Sequence, residues 1–203
     1  MNGVYSWSYE KGSFPVHLRS NGVFRCPKYP AAATYTISGN TISVDWKNFG
    51  SYTFSSTDSF ATLEGSVAGN PTSWRKMEFV RGFTAEENIL FGESGGGGTE
   101  WNWEWEKGSF QVEFRSDGFN HFVCPSFPAH SHYEIEGNTI RVDWGQYGKY
   151  ELEIDSSART LIGFKVGNPS SWRRATFVRE LSSDALILPP HDHSHKHDEH
   201  CNH

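Results

Sequence analysis

Three stretches of this chain occur twice. WSYEKGSFPVHLRSNG (Trp7 to Gly22) returns as WEWEKGSFQVEFRSDG (Trp103 to Gly118), YTISGNTISVDW (Tyr35 to Trp46) as YEIEGNTIRVDW (Tyr133 to Trp144), and GNPTSWRK (Gly69 to Lys76) as GNPSSWRR (Gly167 to Arg174). The offset is 96 residues before Cys26 and Cys124 and 98 after them, which places a two-residue insertion near Phe119 to Phe122. A chain of 203 residues is therefore two copies of one unit of about 80 residues, a length suited to a small domain. The boundaries read as a first β repeat over 1–84, a Gly-rich linker over 85–99 with a short helical turn near its start, a second β repeat over 100–182 and a His-rich tail over 183–203.

Within each copy the apolar residues alternate. Phe14, Val16 and Leu18 match Phe110, Val112 and Phe114, and Ile42, Val44 and Trp46 match Ile140, Val142 and Trp144. A period of two with one apolar face marks half-buried antiparallel strands. Gly39-Asn40 and Gly137-Asn138 are two-residue turns that join such strands into hairpins. The expected fold is all-β: a tandem duplication of a small antiparallel barrel or curled sheet, seven to eight strands per copy, related by a pseudo-twofold. The strand count and the early Trp of each copy (Trp7, Trp103) resemble those of up-and-down barrels of lipocalin and avidin type, a resemblance that implies fold and nothing about ligand.

Composition narrows the function classes. The formal charge is −6, so the basic face that phosphate neutralisation requires is not expected, nor is a nucleic-acid partner. No apolar run approaches the ~20 residues of a membrane helix, and the N-terminus lacks a basic segment followed by an apolar one. Three Cys argue against a disulfide scaffold. The expectation is a soluble intracellular protein that does not insert into membranes. Aromatic residues make up 15% of the chain, enough to fill two small cores or to stack on ring-shaped ligands.

The candidate ligand residues lie in the repeated octapeptide: Asn70, Trp74 and Arg75 in the first copy, Asn168, Trp172 and Arg173 in the second. Read as a loop, the octapeptide presents a flat aromatic face beside amide and guanidinium donors. The plainer alternative is that each Trp plugs a barrel end. Trp101, Trp103 and Trp105 share a strand face, as a stacking platform or as core. Asp45, Asp143, Glu10 and Glu106 are carboxylates, but nothing in the spacing brings them together for acid–base chemistry, so no catalytic residue is assigned. The copies differ where His121, His130 and His132 appear only in the second. With Cys124 they offer four nitrogen and sulfur ligands, set against the alternative of exposed loop histidines and a buried thiol. The tail holds His191, His193, His195, His197 and His200, ligands suited to Zn, Ni or Cu, although no cofactor is required.

These features point first to a non-catalytic bivalent binding protein for carbohydrate or another small ring-containing ligand, with the octapeptides as its sites. A self-assembling shell or lattice protein, and thus a homo-oligomer, is the alternative. A metal-dependent enzyme with its site in the second repeat is a further one.

Overall fold

The structure is a computed structural model that describes residues 1–93 and 96–186. The first repeat forms β1 (Gly3–Tyr9), β2 (Gly12–Leu18), β3 (Val23–Arg25), β4 (Ala33–Ser38), β5 (Thr41–Asp45), β6 (Ser51–Ser55), β7 (Thr62–Val67) and β8 (Asn70–Arg81). A helix, α1 (Ala85–Phe91), leads into the second repeat: β9 (Gly96–Trp105), β10 (Gly108–Arg115), β11 (Phe122–Val123), β12 (His132–Glu136), β13 (Thr139–Asp143), β14 (Lys149–Asp155), β15 (Thr160–Lys165) and β16 (Asn168–Ser182).

Each repeat is one antiparallel up-and-down sheet of eight strands. In the first, neighbours in sequence are neighbours in space and β8 returns to β1, so the barrel is closed. In the second, β16 likewise returns to β9, but β11 and β12 form no ladder. A single bridge, His121 opposite His132, joins them, flanked by Phe122 N–H to Ser131 O (3.0 Å) and Tyr133 N–H to Asn120 O (2.9 Å). The matching strands of the first repeat pair Val23 with Thr34 and Phe24 with Ala33.

Alternation sends the apolar set inward, as the period of two dictates. Trp7 is 1% exposed and meets Phe24, Trp46, Tyr52 and Phe54 edge to face at 4.8–5.7 Å. Trp103 takes the same place in the second core, against Phe122, Trp144 and Tyr150. Trp101 and Trp103 are both fully buried and form no surface platform.

Gly96 to Gly98 are not free linker: β9 starts at Gly96, four residues ahead of the expected boundary. A Cβ on Gly97 would lie 2.0 Å from Ser182 O, and one on Gly98 would lie 2.0 Å from Phe114 O. Only residues without side chains let the strand run that close to its neighbours. Before it, α1 begins with a capping box in which Thr84 Oγ1 accepts from Glu87 N–H and the Glu87 carboxylate accepts from Thr84 N–H.

The barrels meet along a polar seam. Arg19, 2% exposed, donates from Nη1 to Ser116 Oγ (3.2 Å) and Asp117 O (3.0 Å), and from Nη2 to Asn120 Oδ1 (2.6 Å), with its guanidinium 3.9 Å above the Phe91 ring. Buried Arg25 donates to the Glu134 carboxylate. Among the described residues no helix is long and apolar enough to cross a membrane.

Candidate functional site

The octapeptide does not form a loop. Ser66 pairs with Trp74 while Val67 pairs with Asn70, so Pro71, Thr72 and Ser73 bulge out between two ladder pairs. Phe164 with Trp172 and Lys165 with Asn168 repeat this in the second barrel. Proline cannot donate to a ladder, and a bulge is a place where it is tolerated. The bulge satisfies itself: Thr72 Oγ1 donates to Asn70 Oδ1 (2.8 Å), and Ser170 Oγ donates to Asn168 Oδ1 (2.7 Å).

Trp and Arg follow the bulge on a regular strand, and adjacent strand residues face opposite ways. Trp74 and Trp172 therefore point outward, 45% and 44% exposed, and plug no barrel end. Arg75 and Arg173 turn inward, over the mouths of the barrels. Arg75 Nη1 donates to Ser73 Oγ (3.1 Å) and Trp74 O (2.7 Å), and Arg173 Nη1 to Ser171 Oγ (3.0 Å) and Trp172 O (2.6 Å). The single surface expected to combine Asn, Trp and Arg is thus split. Asn holds the bulge, Trp lies outside and Arg lies inside.

Below Arg75 the mouth opens into a cavity of about 200 Å³, walled by Trp7, Tyr9, Phe14, Tyr29, Trp46, Phe49 and Tyr52. The guanidinium carbon is 5.7 Å from the Tyr9 ring centre and 5.6 Å from that of Tyr52, within cation–π range. Trp46 Nε1 donates to Tyr29 O (3.2 Å) and Tyr52 Oη to Phe49 O (2.6 Å), which fixes the two rings at their polar tips. The second repeat carries a ring at each matching place: Trp103, Trp105, Phe110, Phe127, Trp144, Tyr147 and Tyr150, with Arg173 5.6 Å from Trp105 and 5.1 Å from Tyr150. Trp144 Nε1 donates to Phe127 O (3.1 Å) and Tyr150 Oη to Tyr147 O (3.0 Å), copying the first mouth bond for bond.

Tyr29 and Phe49 escape the sequence reading because neither falls in an alternating apolar run: Tyr29 lies between Lys28 and Pro30, and Phe49 between Asn48 and Gly50. The signal that finds them is an aromatic residue at the same place in both copies.

His121, His130 and His132 do come together, on the outside of the second barrel where β11 and β12 fail to pair. The His130 and His132 Nε2 atoms are 2.9 Å apart, the His121 and His132 rings are 5.1 Å apart and nearly parallel, and His121 Nδ1 lies 2.5 Å from Asp117 Oδ2. Burial, then His121 and His130, push His132 down to about 4. Cys124 does not join them: it is 3% exposed and packs in the barrel core, and burial pushes its thiol up. Among the described residues no group of three or more His, Cys, Asp or Glu is arranged to hold a metal ion. The tail residues His191, His193, His195, His197 and His200 lie outside the described residues. Asp45 and Asp143 are turn and surface groups, each accepting a backbone N–H two residues on and pairing with Lys47 or Lys149.

No family model, curated protein or solved structure matches the chain.

Proposed function

We propose that the protein is a non-catalytic binder with two related sites, one in each barrel mouth. Each takes a small planar ring that carries an anionic group for Arg75 or Arg173. The observation that carries this reading is the matched set of seven aromatic positions and one arginine, with the arginine held inward by its own bulge. Stacking uses the ring faces, and the guanidinium offers directed donors to a carboxylate or sulfate. A cavity of about 200 Å³ is smaller than the roughly 300–1,000 Å³ of drug-sized pockets, which favours a ligand of one or two rings. Its lining holds no carboxylate, histidine or cysteine, the side chains that most often act as acid, base or nucleophile, so binding is the simpler use.

Titration of Trp fluorescence tests the proposal with benzoate and indole-3-acetate set against glucose and N-acetylglucosamine. The aromatic acids should quench or shift the emission, R75Q should weaken one binding event at least about tenfold, and R75Q/R173Q should weaken both. No response to either acid, or equal binding of acids by wild type and the double variant, overturns it. Tighter binding of the neutral sugars would return the assignment to carbohydrate and to the exposed faces of Trp74 and Trp172.

A further inference from the structure

The two repeats share a fold but not an outer face. On β15, Ile162 and Phe164 point outward, followed by Val166 in the turn, and their exposures are 60%, 37% and 49%. Phe164 lies directly across from Trp172, itself 44% exposed. Together they form a contiguous apolar stripe on the outside of the second barrel. The same places in the first repeat hold Glu64, Ser66, Ala68 and Trp74. The first barrel closes with those residues, so the fold does not require apolar ones. An exposed apolar stripe that the architecture does not need marks a contact surface.

Charge flanks the stripe unevenly. On the β14 side, Glu153 is opposite Ile162 and Glu151 is opposite Phe164. On the β16 side, Arg174 is opposite Ile162. Arg141 neutralises Glu151. Neither Glu153 nor Arg174 has an ion-pair partner among the described residues, whereas the matching Lys76 of the first repeat pairs with Glu78. Acid on one edge and base on the other make the stripe complementary to itself. A twofold axis parallel to the strands lays stripe on stripe, with the acidic edge of each copy over the basic edge of the other.

We propose that the outer face of β14–β16 is a homodimer interface, with Ile162 and Phe164 packed against the same residues of a second copy and Trp172 flanking them. Glu153 then pairs with Arg174 of the partner subunit. The contact is isologous, as closed twofold dimers are, and sheet-on-sheet packing is its geometry. It leaves both barrel mouths to their ligands and does not depend on what they bind.

Sedimentation velocity on the full chain over a wide concentration range tests this. The wild type should show a concentration-dependent dimer. I162E/F164S, which installs the residues of the first repeat, should weaken it at least about tenfold. Those side chains already occur at the same places in the first barrel, and an unchanged near-ultraviolet circular dichroism spectrum confirms that the variant is folded. E153R should also weaken the dimer, and E153R/R174E should restore it. A monomer at every concentration, or a dimer indifferent to I162E/F164S, overturns the proposal. A monomer would also be the outcome if another part of the same chain covered the stripe.

Discussion

Arg19 and Arg115 occupy the same place in the two repeats, yet their surroundings differ. Arg19 crosses to the second barrel and directs its donors at Ser116, Asp117 and Asn120, while Arg115 Nε bonds Glu113 at 2.9 Å on its own strand. Burial pushes the Arg19 guanidinium down to about 10, still charged at neutral pH. Arg25 shows the same divergence. It bonds Glu134, whereas the corresponding residues Val123 and Thr36 cannot form that pair. Its Nε and Nη1 are buried without a partner. Removing the acid should therefore hurt more than removing the base. E134A should cost about 2–3 kcal/mol in urea unfolding, below the roughly 3–5 of a fully buried pair because Glu134 is half in water. R25V, which deletes the charge together with its orphaned donors, should change stability by no more than about 1 kcal/mol. Equal losses in the two variants would contradict this account of the seam.

At the scale of the element, strands and hairpins are legible in the sequence because alternation and Gly-Asn turns are local signals. The bulge is not. Pro71 to Ser73 read as loop, which hides the return to the ladder at Trp74 and with it the splitting of Trp and Arg onto opposite faces. The mouth was legible only in part, since the octapeptide supplies Arg75 and Arg173 but the rings beneath them come from three other strands and two turns. The histidine group was legible as a cluster, and of the two readings of Cys124 the buried thiol is the one that holds, since it falls on the inward side with Phe122. Close approach between strands is also invisible in sequence. A Cβ on Gly163 would lie 1.9 Å from Glu151 O, and one on Gly65 would lie 2.0 Å from Thr53 O. G163A should thus force β14 and β15 apart and lower stability by about 1–3 kcal/mol. A methyl group on Gly82 would meet nothing within 4 Å, so G82A is the matched control and should be close to neutral in the same denaturation assay.

For the whole molecule, two half-buried imidazoles set a pH limit. Burial, followed by Arg19, Arg25 and Arg81, pushes His17 down to about 2, and His132 lies at about 4. In the unfolded chain both return to about 6.5. Below that pH the unfolded state binds protons that the folded state refuses, so stability falls as pH drops from 6.5. The His132 contribution to that loss is complete near 4, and that of His17 continues towards 2. Replacing His132 by Thr, the residue at position 34 of the first repeat, should flatten the fall of Tm between pH 6.5 and 4. An unchanged slope would show that His132 takes no part.

The single bridge between β11 and β12 gives that titration a location. One barrel is a continuous hoop, while the other is a hoop fastened by a buckle, and the buckle is two stacked imidazoles. Acid that charges His132 sets a cation against a neighbouring imidazole at the one place where the second wall has least backbone to hold it. The duplicated halves, so similar in their mouths, should therefore part company when acidified: the second loosens at its fastening as pH falls to about 4, and the first only further down, where His17 on β2 takes its proton.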